Sequence, residues 1–449
     1  MLSSRATHTS SQLDTPWRFA PKFGIYDAET NPDGVISFAT AENARIHQEV
    51  ADFVNSRVEF PSSAFTYYGF STGGGSRFPK ALANHLNEYF KPHRDIDGSD
   101  IIATGSATAL HEVLAFSLGD PGDGVLLSRP GYGRFELDFW NKARMQVVWA
   151  DTEAETCFDV DVVDSFEKAL QESNAVGVKI RALLIINPHN PLGNVPVILL
   201  LSSLIMPLVG SLTSFKGKCY PKDTIVALMK FCQMHQIHFI SDEIYALSEF
   251  DSQEHDAVPF TSALSIDSTG IIDEGLLHVT YGMAKDYGSP GLRVGALITR
   301  NPQLLKSARS IIRFHNPSGP SIVIATAMLE DREWCRSFLA TSRQRIAEAY
   351  LWFTSELRSM GVEYLRGSNA GLFVWVNLSP YLPPETSGMS HQEREFALAQ
   401  KTLDGGVFLQ PGEEHALRPG WFRMVYTDNP EAVQEGLKRL KLVLQNLSW

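Results

Sequence analysis

Short apolar, β-branched runs alternate with stretches of helical period through the middle of the chain. Runs at Ile101–Ala103, Gly124–Ser128, Gln146–Ala150, Ala182–Ile186, His238–Ser241, Leu277–Thr280 and Gly295–Ile298 predict buried strands. Between several of them, Ala107–Leu118, Val160–Glu172 and Lys222–His235 carry the three- and four-residue spacing of amphipathic helices. Strand, crossover helix and strand in series imply an α/β protein with a doubly wound, mainly parallel sheet. Beyond Asn301 the pattern turns helical, at 303–313, 321–329 and 331–359. Two short strands follow, Gly371–Val376 and Trp421–Tyr426, and then a closing helix at 430–447. The chain therefore divides into a structureless leader (1–15), a segment joining a smaller domain (16–59), a large sheet domain (60–300) and a smaller α+β domain (301–449). The longest apolar run, Val197–Val209, is broken by Pro207 and falls short of the ~20 residues a membrane helix needs. It reads as a buried strand or helix, and no membrane association is expected.

Charge narrows the function classes. Of 449 residues, 39 are Lys or Arg and 51 are Asp or Glu, a net charge of −12. No basic run occurs, which excludes a nucleic-acid partner. Cys157, Cys219, Cys232 and Cys335 lie far apart without a C-x-x-C pair, so neither a disulfide framework nor a zinc site is expected. The polar N-terminus lacks the apolar core of a secretion signal, and one Arg beside an Asp makes a poor mitochondrial presequence. The expectation is a cytoplasmic protein without a bound metal.

Several local patterns carry nothing. Gly73–Ser76 lacks the G-K-[ST] ending of a phosphate loop, and His111-Glu112 lacks the second His of a zinc-protease helix. Five other segments fall in order at the ends of predicted strands. ATGSATALHE (103–112) opens a helix whose free amides, with Ser106 and Thr108, suit a phosphate. RPGYGRF (129–135) puts Tyr132 in a Gly-flanked turn, where its ring can cover a flat ligand. INPHNPLG (186–193) fixes Asn190 between prolines as an amide donor. ISDEIY (240–245) places Asp242 and Tyr245 just past a strand, and YGMAKDYGSPGLRVG (281–295) carries Lys285 and Arg293.

A lone lysine among glycines is ordinarily solvated surface, so the inference rests on the set. A lysine able to form an imine, an acid to hold a pyridine nitrogen protonated, and phenol and amide donors for a ring oxygen are all present. With a stacking aromatic and a phosphate cup, they make up the donor inventory for pyridoxal 5′-phosphate. These segments resemble the fold type I, class I/II aminotransferase family, and within it the 1-aminocyclopropane-1-carboxylate synthase-like branch of the fungal secondary-metabolism type. The resemblance runs from NPDGVISFATAEN (31–43) to PGWFRMVYT (419–427). It implies that Lys285 carries the cofactor, Asp242 pairs with the ring nitrogen, Tyr245 and Asn190 hold the ring oxygen and Tyr132 stacks. It assigns Ala107, Thr108 and Arg293 to the phosphate, Arg423 to the substrate carboxylate and Glu42 to the substrate side. Tyr67 or Tyr68 would reach across a homodimer interface.

Two departures stand out. The family's S-x-S-K-D becomes Gly282-Met283-Ala284-Lys285, which removes two hydroxyls and leaves a looser phosphate cup. His111 stands where the synthases have Asn, and Gly131 and Gly133 replace bulkier neighbours of Tyr132, so synthase activity does not simply carry over. The stretch 194–217 has no counterpart and reads as a retained intron, with a substrate lid as the competing view. Sequencing the mature transcript decides between them, and the intron reading expects those codons to be missing. The resemblance favours an aminotransferase acting on an amino acid or amino-acid-derived intermediate in secondary-metabolite biosynthesis. The alternatives are a C–S lyase on a cysteine conjugate, a 1-aminocyclopropane-1-carboxylate synthase, or an aminotransferase-like binding module.

Overall fold

Seven strands build the central sheet of the computed structural model, which describes residues 1–17, 19–21, 24–66, 72–154, 156–192, 219–253, 258–412 and 416–449. They are β1 (Ile101–Thr104), β2 (Gly124–Ser128), β3 (Gln146–Ala150), β4 (Ile180–Ile186), β5 (His238–Asp242), β6 (Leu277–Gly282) and β7 (Gly295–Thr299). Their order across the sheet is β1-β7-β6-β5-β4-β2-β3. β7 is antiparallel to both its neighbours, while the remaining pairs are parallel. Nearly every residue of these strands except those of β3 is buried, which explains why they read as continuous apolar runs rather than as alternation. The crossover helices Ala107–Leu118, Val162–Ala175 and Lys222–His235 lie close to the predicted spans.

The smaller domain is built on the long helix Arg332–Ser359 and the antiparallel strands β8 (Glu363–Tyr364), β9 (Phe373–Asn377) and β10 (Trp421–Val425). Ile36–Ser37 pairs in parallel with Val407–Phe408, tying the N-terminal segment to this domain. Its core collects Ile36, Phe38, Tyr350, Phe353 and Tyr426, and also Ile244 and Tyr245 from the loop after β5. That shared packing sets the rim of the large sheet against the smaller domain.

The expected structureless leader needs correction, because Ser4–Ser11 is helical. The Ser3 side chain caps it by accepting from the Ala6 amide, and none of its residues is buried. Local capping makes this helix where no apolar periodicity announced it. Tyr67, Tyr68 and the stretch 194–217 with its apolar run lie outside the described residues. Among the described residues no helix is long and apolar enough to cross a membrane. The four cysteines are buried, and none forms a disulfide.

Candidate active site

Register explains why sequence-distant residues converge. Ile186, Asp242 and Thr280 sit opposite one another on β4, β5 and β6, all at or near the carboxyl ends of their strands. Thr104 and Gly282 both pair with Gly295, so the reversed β7 begins at the same rim. Ligand crevices of open α/β sheets lie outside such strand ends. Here a cavity of about 200 Å³ is lined by Ala107, Thr108, Tyr132, Asn190, Asp242, Tyr245, Lys285, Arg293 and Arg423. Nine of the residues singled out from sequence therefore meet. Glu42 is half-buried and outside that lining, yet its charge favours the Lys285 ammonium.

Lys285 leaves the end of β6 in the short helix Met283–Asp286, and its Nζ donates to the Ala41 carbonyl at 2.6 Å. Enclosure first, and then the positive charge of Arg423, push its ammonium down from 10.5 to about 8. The negative charges of Glu42 and Asp242 pull the other way. Protons therefore leave this amine near pH 8, where an ordinary lysine holds its proton until above pH 10. We expect amine-directed labelling of Lys285 in cofactor-free protein to rise with a midpoint near pH 8. Peptide mapping checks this, and a midpoint above pH 10 contradicts it. The linked stability effect has a definite sign. Between about pH 8 and 10.5 the unfolded chain binds the extra proton, so the cost of burying this lysine is full below pH 8 and fades as pH rises to 10.5.

Arg423, buried on β10, donates from Nη1 to Asn190 Oδ1 at 2.9 Å and from Nη2 to the Ala39 carbonyl at 2.7 Å. With its oxygen pinned, the Asn190 amide keeps its NH₂ as the donor group. Asn187 anchors the same loop, accepting from the Tyr220 amide and donating to the Thr261 carbonyl. Arg423 also lies over the Phe373 ring at 5.2 Å and the Tyr132 ring at 5.9 Å, an aromatic setting that holds the fork in place. Tyr245 is buried, and burial raises its phenol, so it stays a proton donor.

Asp242 is 4% exposed and accepts from Thr280 Oγ1 at 2.9 Å through Oδ1. Its neighbour Glu243 is occupied elsewhere, accepting from Ser241, Ser262 and the Ala263 amide, and burial pushes it up to about 7. Of the two consecutive acids, Asp242 alone lines the cavity. At the phosphate end Ser106 caps the helix Ala107–Leu118 by accepting from the Ala109 amide at 3.1 Å, while first-turn amides have no intrahelical acceptor. Arg293 is exposed at the cavity wall in a left-handed conformation, with φ 55°.

Gly295 packs directly on that helix start. A Cβ there would lie 2.6 Å from the Ser106 carbonyl carbon and 2.8 Å from the Ala107 nitrogen, both backbone atoms. Gly295→Ala should therefore destabilise the protein by about 1–3 kcal/mol and displace the anion-binding turn. Thermal unfolding and cofactor affinity should both fall, and a variant with unchanged values in both would contradict this.

Sequence reasoning missed the backbone carbonyls of Ala39 and Ala41, since an acceptor on the main chain leaves no residue signature. It also missed Thr280 and Asp138. Asp138 had one visible signal, an acid set between Leu137 and Phe139 in FELDFW (135–140).

A family model for class I and II aminotransferases matches residues 68–206 and 206–440, and the two stretches meet inside the segment that lacked a counterpart. The chain belongs to that family. Among curated relatives, a 1-aminocyclopropane-1-carboxylate synthase of Glycine max is 30% identical over 438 residues, covering 94% of this chain and 83% of the relative. The 1-aminocyclopropane-1-carboxylate synthase-like protein 1 of Homo sapiens is 28% identical over 432 residues, with 94% and 79% covered. Among solved structures, aspartate aminotransferase from Thermus thermophilus with maleate superposes at a TM-score of 0.69 and 19% identity, covering 99% and 97% of the two chains. The fold is thus that of fold type I enzymes, and the family's cofactor is pyridoxal 5′-phosphate. The donor set fits that group. One amine deprotonates near pH 8, two largely buried carboxylates, Asp242 and Asp138, line the cavity, and a phenol and an amide lie beside a helix start.

Proposed function

We propose that this chain is an aminotransferase dependent on pyridoxal 5′-phosphate, working as a cytoplasmic homodimer on an amino acid or amino-acid-derived intermediate of secondary metabolism. The observation that carries this reading is the meeting of Lys285, Asp242 and Arg423 in one cavity, with the amine titrating near pH 8. Bound cofactor would supply an electron sink for the carbanion left at the substrate α-carbon. Arg423 offers a planar fork to the substrate α-carboxylate, already oriented by Asn190 and the Ala39 carbonyl. Lys285 Nζ, neutral above about pH 8, accepts the α-proton and returns it. Asp242 would hold the ring nitrogen protonated, while Tyr245 and Asn190 would donate to the ring oxygen. Tyr132 would cover the ring face, and Ala107, Thr108 and Arg293 would hold the phosphate. Glu42 would act on the substrate side; for Tyr67 or Tyr68, outside the described residues, that role stays what the resemblance implies.

The relatives named as synthases support a second reading, a lyase that expels a β- or γ-substituent after the same proton removal. Against it, His111 replaces the synthase Asn and glycines flank Tyr132. Three parallel incubations separate these outcomes: an amino acid with pyruvate, a cysteine S-conjugate alone, and an amino acid bearing a γ leaving group. Amino transfer that depends on the keto acid is the expected result. Release of thiol and pyruvate from the conjugate without keto acid, or of a cyclopropane product, would replace it.

A further inference from the structure

His111 projects from the helix Ala107–Leu118 between two acids. Its Nδ1 lies 2.9 Å from Asp138 Oδ2, and its Nε2 lies 3.6 Å from Asp242 Oδ2. All three side chains are at most 10% exposed. Asp138 comes from the helix Phe135–Trp140, and the His111 ring packs edge-on against Phe135 and stacks on Phe139. An apolar residue would fill that aromatic niche at lower cost, because a buried polar ring needs partners on both nitrogens. Nε2 makes no hydrogen bond among the described residues, and Asp242 Oδ2 at 3.6 Å faces it at ion-pair distance.

We propose that Asp138 and His111 form a positioning pair, which places an imidazolium against Asp242 Oδ2 and holds that carboxylate ionised and aimed into the cavity. Thr280 already satisfies Oδ1, and the pair sets the ring 3.6 Å from the other oxygen, at ion-pair distance. With His111 charged between two carboxylates the trio would carry one negative charge, and Asp242 lines the cavity where a protonated pyridine nitrogen would neutralise it. Burial disfavours the charged ring, but the two carboxylates outweigh it and push the imidazolium up to about 9. Burial also raises the Asp138 carboxyl, and the charges of His111 and of Arg134, at the start of the same helix, oppose that rise.

The proposal rests on Asp242 facing the ring nitrogen, and the experiment separates the two. In cofactor-free protein labelled with [¹⁵N]histidine, the signal that disappears in His111→Gln should be that of a doubly protonated ring at pH 7.5. It should turn neutral in Asp138→Asn. A neutral ring in the unaltered protein overturns the proposal. Fluorescence titration with pyridoxal 5′-phosphate should show binding weakened about ten- to a hundredfold in His111→Leu, and less in Asp138→Asn. The double variant should be no weaker than His111→Leu alone, and additive losses overturn the pairing. With ring-¹⁵N cofactor, both variants should shift the ring nitrogen toward its unprotonated position, a change that loosened packing alone would not produce. Asp242→Ala is the control. If it leaves affinity and ring shift unchanged, the assignment of Asp242 fails, whereas a shift there with none in His111→Leu overturns the positioning pair only.

Discussion

Turnover should fall by about four orders of magnitude or more in Lys285→Ala, whichever branch of the chemistry the enzyme follows. The argument is one of position and proton affinity. Lys285 Nζ is the amine of the cavity that deprotonates near pH 8, and no other lysine lines the cavity among the described residues. Removing it takes away the group that binds the cofactor covalently and the group that moves the α-proton, two functions on one atom. Added amines should restore a small part of the rate by entering the space left behind. Borohydride reduction of the loaded protein should place the cofactor on the Lys285 peptide, as read by mass spectrometry. Unchanged function in the Ala variant would instead support an aminotransferase-like binding module.

Asp242→Asn should cost nearly as much, through a different property. The side chain keeps its shape, so packing survives, but the negative charge is lost at a buried position. Breaking a buried charge pair by removing one member typically costs about 3–5 kcal/mol, or two to four decades in rate or affinity. The neutral amide would also present its NH₂ to donors, because Thr280 already donates to Oδ1 and His111 faces Oδ2. Cofactor retention after gel filtration, the turnover rate and the melting temperature should all drop. Asp242→Glu tests geometry separately, since charge is kept and reach is altered. Equal activity in the Asn variant and the unaltered enzyme would show that the ring nitrogen needs no ionised partner here.

Much of this was legible because its physical causes are local. Buried strands write themselves as β-branched runs, and the residues just past them are the ones a sheet rim presents. Lys285, Asp242 and Asn190 could therefore be gathered at one rim from their positions along the chain, whereas Arg423, inside a strand, came only from the family resemblance. What stayed hidden was set by long-range contact. The Ala39 and Ala41 carbonyls reach Arg423 and Lys285 across hundreds of residues, and any residue type could supply such acceptors. His111 was visible as a departure from the synthase pattern, but its link to Asp138 depends on how two helices pack. Strands of two residues, such as Ile36–Ser37 and Val407–Phe408, are too short to show a period.

The direction of β7 has a consequence for how this site tolerates change. In a wholly parallel sheet, each strand returns by a long crossover, and the two ends of that crossover lie on opposite rims. Because β7 runs backwards, the chain leaves β6 at Gly282 and enters β7 at Gly295 on the same rim. A single tight connection thereby delivers both Lys285 and Arg293 to the cavity, the one proposed to meet the reacting carbon and the other the phosphate. The spacing between those two charges is fixed by the length of that connection and not by the packing of separate elements. Crossovers elsewhere in the sheet can lengthen without moving the chemistry. This one behaves as a ruler, and a residue inserted into it would put the two ends of the cofactor out of step.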